Sequence, residues 1–123
     1  MTQKKILIVD DDNKNVFALS AVLRSRKFIC LTALGMKDAF VLLEKEPVDM
    51  LLLDMMMPDM DGYEALAALR ENPSYANLPI VAVTAQAMKG DKERCLQAGA
   101  SAYVSKPVNI DELMQVLKQW IDA

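Results

Sequence analysis

The chain of 123 residues contains no histidine. That absence removes imidazole acid–base catalysis, most transition-metal sites and phosphotransfer through a histidine of this chain. Cysteine is nearly absent: Cys30 and Cys95 lie far apart and form no C-x-x-C pair, so they read as reduced, semi-buried residues. Long apolar runs are missing too. Residues 6–9 are too short for a signal-peptide core, and no run approaches the roughly 20 residues a membrane span needs. A soluble, cytoplasmic domain without membrane insertion is expected. Positive charge is not in excess: 14 Lys and Arg against 17 Asp and Glu give a net charge of -3. That balance argues against direct nucleic acid binding and against attraction to an anionic membrane surface. Repeats, low-complexity tracts and linkers are absent as well. With 53% apolar residues there is ample material for one core, and residues 1–123 are expected to form a single domain.

What is present is an alternation of short apolar runs and amphipathic segments. Residues 5–9 read as a strand. Residues 13–26 read as a helix with Val16, Leu19 and Leu23 on one face, capped by Asp12 or Asn13. Residues 28–32 are a second strand, and after Gly35 a helix presents Ala39, Phe40 and Leu43. Residues 49–53 form a central strand, and Gly62 opens a helix with Leu66 and Leu69 that ends near Asn72. Residues 80–83 are a fourth strand. Residues 88–98 read as a weakly amphipathic helix whose propensity Gly90 lowers. Residues 101–104 are a fifth strand. Asn109 and Glu112 suit a capping box for a last helix, with Ile110, Leu113, Leu117, Trp120 and Ile121 as its buried stripe. Five strands alternating with five helices predict an α/β fold, a parallel sheet covered on both faces.

In such a sheet the carboxyl ends of the strands form the ligand crevice. The first strand delivers Asp10 and Asp11 to that rim, the third Asp54, the fourth Thr84 and the fifth Lys106. Taken singly, each has a plainer reading. A strand-end carboxylate is often a helix cap, which is the preferred reading for Asp12. Thr84 alone would cap the next helix, and Lys106 alone would be a solvated surface residue. Their coincidence at one rim carries the weight. Three carboxylates repel one another unless a cation joins them, and a hard divalent ion with oxygen ligands, Mg²⁺ foremost, answers that need. A carboxylate, a metal, a hydroxyl and an ammonium together suit a transferring phosphoryl group. Met55, Met56, Met57 and Met60 crowd the loop after Asp54. With no histidine and no regular ligand spacing, they read as packing and not as a copper site.

These residues resemble the receiver (response-regulator, CheY-like) domain of two-component signalling. The likeness rests on Val9-Asp10-Asp11, on Asp54 through Pro58 to Asp61-Gly62, on Thr84-Ala85 and on Lys106-Pro107, in that order. It implies a doubly wound five-stranded sheet of order 2-1-3-4-5 with five helices. It implies that Asp54 accepts a phosphoryl group from a phosphohistidine on a histidine kinase or histidine phosphotransfer protein. Asp11, Asp54 and the backbone carbonyl of Met56 would ligate Mg²⁺, with Asp10 acting mainly through metal-bound water. Thr84 and Lys106 would bond the phosphoryl oxygens, the small Ala85 would leave the site accessible, and Lys106-Pro107 would be cis. Tyr103 would be the switch aromatic that turns inward as Thr84 moves, and the weak helix over residues 88–98 would be the bistable element. Such a domain is no enzyme beyond its own phosphorylation and dephosphorylation, in which Gln86 could orient a water. Residues 15–19 favour a receiver attached to a hybrid sensor kinase, and an attached kinase or output domain fits the likeness. Three rivals stand beside it: a haloacid-dehalogenase-like Mg²⁺-dependent phosphatase with Asp10 as nucleophile, a flavin carrier, and a receiver-like scaffold that is never phosphorylated.

Overall fold

The computed structural model describes residues 3–85 and 89–121. Five strands, β1 (Lys5–Val9), β2 (Ile29–Ala33), β3 (Met50–Asp54), β4 (Ile80–Thr84) and β5 (Ala102–Ser105), form one sheet in the order β2-β1-β3-β4-β5. Every neighbouring pair is parallel. The helices are α1 (Asn13–Ser25), α2 (Met36–Lys45), α3 (Gly62–Glu71), α4 (Asp91–Gln97) and α5 (Ile110–Ile121), with a 3₁₀ turn at Pro73–Tyr75.

The three inner strands β1, β3 and β4 read as continuous apolar runs because they are buried on both faces, whereas the edge strands β2 and β5 are partly exposed. Alternate residues go to opposite sides. Leu7, Val9, Leu51, Leu53, Ile80 and Ala82 join α2 and α3 in one core cluster, through Met36, Ala39, Leu43, Ala65, Leu66 and Leu69. Ile6, Ile8, Met50, Leu52, Val81 and Val83 join α1 and α5 in another, through Val16, Leu19, Leu23, Leu113 and Leu117. Each fully buried Leu or Ile contributes about 1.5–3 kcal/mol relative to exposure, so register is strongly specified.

Several boundaries differ from the sequence expectation. Strand β2 starts at Ile29, because Phe28 still donates its N–H to Leu23 O at 3.1 Å behind the turn at Lys27, whose φ is 73°. Strand β3 runs to Asp54, whose backbone pairs with Val83, and β4 and β5 likewise include Thr84 and Ser105. Helix α4 is shorter than residues 88–98: it runs from Asp91 to Gln97, and Gly90 before it, with a φ of 87°, is not helical. Met88 and Gln86 lie outside the described residues.

Asp12 is the N-cap of α1, accepting from Lys14 N–H at 2.9 Å. Asn109 accepts from Glu112 N–H at 3.0 Å at the start of α5. Trp120 does not join the buried stripe of α5; it is 43% exposed. Leu113, Leu117 and Ile121 follow i, i+4, i+8, and Trp120 lies about 60° around the helix from their centre, at the flank of the stripe. Cys30 and Cys95 are buried free thiols, more enclosed than expected. Among the described residues, no helix is long and apolar enough to cross a membrane.

Candidate functional site

The carboxyl rim of the sheet gathers the expected residues. Asp10 follows β1 directly and its N–H still bonds to Ala33 O at 3.1 Å, so the carboxylate is launched from sheet backbone. Asp54 is the last residue of β3. These two side chains are almost wholly enclosed, at 3% and 4% exposure, while Asp11 is exposed. One carboxylate oxygen from each of Asp10, Asp11 and Asp54 lies within 4.8 Å of the other two. Lys106 arrives from the end of β5, anchored by its N–H to Thr84 O at 2.8 Å and followed by a cis bond to Pro107. Its Nζ donates to Asp10 Oδ2 at 2.9 Å and lies 3.5 Å from Asp54 Oδ2. The remaining oxygens are held by backbone: Asp10 Oδ1 accepts from Asp12 N–H at 2.9 Å, and Asp54 Oδ1 from Met56 N–H at 3.0 Å.

Burial pushes the Asp54 carboxyl up, against the Met56 N–H, and the negative Asp10 pushes it further while Lys106 pulls it back. Burial works against the Lys106 charge as well, yet its hydrogen bond to Asp10 and the charges of Asp54 and Asp10 hold it above the usual lysine range. The two directions look opposed but share a cause. Lys106 has two carboxylates to itself, whereas Asp54 has half a lysine and a like-charged neighbour. Three carboxylates face one ammonium, an excess of two negative charges in a cleft of oxygen donors. That is the charge and the ligand chemistry of a hard divalent cation.

A loop from residue 55 to residue 61 closes over the same rim. Met56 and Asp61 form an isolated bridge, and Asp61 accepts from Tyr63 N–H at 3.0 Å to cap α3. Gly62 is required by close approach, since a Cβ there would lie 2.6 Å from Met55 Cα. Met55 and Met57 are buried in the core, as the packing reading anticipates, while the Met56 side chain is 53% exposed. Asp11, residues 55–58, Thr84, Asp91 and Arg94 line a cleft of about 690 Å³. Thr84 is buried and Ala85 exposed.

Tyr103 sits farther back along β5, three residues before Lys106, half-buried against the α2–α3 core. Its hydroxyl donates to Asp91 Oδ2 at 2.9 Å, and Tyr63 donates to Asp91 Oδ1 at 3.2 Å. The Arg94 guanidinium stacks 4.5 Å over the Tyr63 ring. Burial, then the Asp91 hydrogen bond and charge, push the Tyr103 phenol up to about 12, and burial pushes Tyr63 higher still. Sequence reading missed Asp91 and Tyr63. Neither ends an apolar run, and 28 residues separate the pair, so no local pattern marks them.

The response regulator receiver domain model matches residues 6–118. Sensor histidine kinase RcsC of Salmonella typhi is 41% identical over 112 residues, which cover 91% of this chain and 12% of that kinase. The 14.6 kDa protein in the sodA1 3' region of Leptolyngbya boryana is 37% identical over 120 residues, 98% of this chain and 92% of that protein. Among solved structures, a response regulator from Chloroflexus aurantiacus superposes with a TM-score of 0.92 at 31% identity, over 99% of this chain and 100% of that one. The receiver domain of sensor histidine kinase PA1611 from Pseudomonas aeruginosa superposes with a TM-score of 0.88 at 34% identity, over 99% and 100% of the two chains. That crystal holds a magnesium ion coordinated in the active site cleft. The receiver domain of Ssk1 from Saccharomyces cerevisiae, crystallised with the histidine phosphotransfer protein Ypd1, superposes at 0.85 with 27% identity over 96% and 88%. Receiver domains bind Mg²⁺ in this acidic cleft and partner with histidine kinases or phosphotransfer proteins. The buried aspartates, the lysine that bridges them and the sheet that carries them thus have one common account: the chain belongs to the response regulator receiver domain family, the CheY-like phosphoacceptor switches of two-component signalling, and is not an enzyme with turnover of its own.

Proposed function

We propose that Asp54 is the phosphoacceptor of this receiver. The observation that carries the assignment is its placement. Asp54 ends the central strand, keeps one oxygen on the Met56 N–H, and turns the other toward Lys106 inside the carboxylate cluster. An Asp54 oxygen attacks the phosphorus of a phosphohistidine in line. The new P–O bond forms as the P–N bond breaks, and its electron pair leaves with the donor imidazole. Lys106 lies where it meets charge on the transferred oxygens, and its N–H bonds to the carbonyl of buried Thr84, which lines the cleft with Asp11 and residues 55–58. Such transfer depends on positioning and charge neutralisation more than on proton transfer.

Asp10, Asp11, Asp54 and the backbone carbonyl of Met56 would hold Mg²⁺. When bound, the ion supplies the positive charge that the cluster lacks. Asp10 already spends one oxygen on Lys106 and the other on the Asp12 N–H, which suits a role through metal-bound water and disfavours Asp10 as a nucleophile. The switch reading assigns Thr84 and Tyr103 to the response. For Tyr103 to turn inward it must leave Asp91, the first residue of the short α4.

The partner of this chain is proposed to be a histidine kinase or a histidine phosphotransfer protein in the cytoplasm. Residues 1–123 would be one receiver domain, with an attached kinase or output domain in the native protein compatible with the likeness to RcsC. The test is intact-protein mass after incubation with Mg²⁺ and phosphoramidate or acetyl phosphate. A single Mg²⁺-dependent phosphoryl adduct, absent from Asp54→Asn, is the expected result. An adduct that persists in Asp54→Asn overturns the site. No adduct from any small donor or from a phosphorylated phosphotransfer protein leaves the scaffold reading in its place.

A further inference from the structure

Helix α2 begins without a cap of its own. Gly35 occupies its N-cap position in extended backbone, with no side chain to offer. The first-turn amide of Met36 is nevertheless satisfied: it donates to Oδ2 of Asp59 at 2.9 Å, from the loop 23 residues onward. The approach is tight. A Cβ on Gly35 would lie 2.5 Å from that Oδ2 and 3.0 Å from the carboxyl carbon, so glycine alone leaves room for the carboxylate. A carboxylate there also meets the positive end of the α2 dipole.

The contact gains its meaning from the rest of the loop. At its base, Asp54 Oδ1 accepts the Met56 N–H, Met56 bridges Asp61, and Gly62 N–H bonds to Met55 O at 3.3 Å. These ties fix the loop to β3 and α3. The exposed tip, at Pro58 and Asp59, is tied instead to α2, by Asp59. Met57 belongs to the same core cluster as Met36, with Met60 packed against it, so apolar contact and the cap pull the tip in one direction. Residues 55–58 and Asp11 line one cleft.

We propose that Asp59 is a positioning residue for the divalent cation: by capping α2 from the loop, it holds residues 55–58 against the carboxylate cluster and so sets the cation affinity of the site. The inference rests on the Mg²⁺-dependent reading above. Asp59 stands outside the carboxylate group that Asp10, Asp11 and Asp54 form, and its Oδ2 faces the Met36 amide at the start of α2.

The test is calorimetric titration of the intact chain with Mg²⁺ for wild type, Asp59→Ala, Asp59→Asn and Gly35→Ala. Hydrogen exchange at the Met36 amide is measured in the same proteins without metal. Residues that orient metal ligands from behind typically change affinity about 10- to 100-fold when lost. Asp59→Ala and Gly35→Ala should therefore bind Mg²⁺ roughly ten-fold more weakly, with faster exchange at Met36. Asp59→Asn keeps an acceptor oxygen and should stay within about three-fold of wild type, because Asn caps about as well as Asp. Asp59→Ala and Asp59→Asn lose the same charge, so the difference between them isolates the hydrogen bond. Wild-type Mg²⁺ affinity in folded Asp59→Ala, or equal weakening in Asp59→Asn, overturns the inference while leaving the phosphoacceptor reading intact. A wild-type chain that binds no Mg²⁺ overturns that reading instead.

Discussion

Two half-buried cations stand at opposite edges of the parallel sheet, and they are satisfied in opposite ways. At the amino edge, Arg70 donates from Nε to Gly99 O at 2.9 Å and from Nη1 to the carbonyls of Tyr75 and Leu78, each at 2.8 Å. A weaker bond at 3.4 Å reaches Ser101 Oγ, whose oxygen also accepts from Ile80 N–H. Among the described ion pairs Arg70 has no carboxylate, and burial alone lowers its pKa. Neutral carbonyls fill its fork, which uses the planar geometry that distinguishes arginine from lysine. At the carboxyl edge, Lys106 faces two enclosed carboxylates with a third nearby. One edge is electrically complete and ties the α3 end to the starts of β4 and β5. The other carries excess negative charge that a ligand must meet. Stability is built where charge is balanced internally, and chemistry is placed where it is not.

The comparison can be broken in graded steps. Lys106→Met should have the largest effect on the metal-free protein, because it strands two enclosed carboxylates. Removing one partner of a buried pair typically costs about 3–5 kcal/mol, and partial exposure of Lys106 places the loss near about 3 kcal/mol. Urea unfolding measures it, and saturating Mg²⁺ should restore part of the loss by mass action. Equal unfolding of Lys106→Met and wild type would show that the edge is not under electrostatic strain. Arg70→Lys should cost about 2 kcal/mol, since a lysine cannot reach three directions at once and leaves buried carbonyls unpaired. It should leave phosphoryl uptake by Asp54 unchanged, and a matching loss of phosphorylation would erase the division between the two edges.

Asp54→Asn should move the other way. The folded pKa of Asp54 is raised, so its ionised form costs stability above that value and the cost vanishes as pH falls toward the ordinary carboxylate range near about 4. The variant should therefore be more stable than metal-free wild type at neutral pH, with the gap closing as pH is lowered. Thermal melts across pH without Mg²⁺ read this directly, and a gap that widens toward acid would reverse the sign. The smallest effect belongs to the tyrosine pair. The Tyr103 phenol is held at about 12, so its contribution is complete below the ordinary tyrosine range and is lost as pH rises through that value. Removing the charge by Asp91→Asn should bring ultraviolet tyrosinate formation to lower pH; an unchanged titration would mean that burial alone holds both phenols.

The rim was legible because each of its members ends a local pattern. Asp10, Asp54 and Thr84 stop apolar runs, and Lys106 precedes a proline, so the strand reading carries them to one edge without any knowledge of their partners. Trp120 shows the limit of periodicity, since a helix position three residues from Leu117 sits at the flank of the stripe as easily as within it. Helix α4 shows another: a thin apolar face leaves its start to the backbone at Gly90.

The sequence by itself determined the alternation of strands and helices, the edge at which the acidic residues collect and the excess of negative charge there. These follow from side-chain period and chain direction, which are local. Only the tertiary structure decided that Asp59 caps α2, that Asp91 joins Tyr63 to Tyr103 and that Arg70 binds the carbonyls of two separate turns. Those partners lie across loops and helices from one another, and which donor finds which acceptor is settled by how the two faces of the sheet are packed.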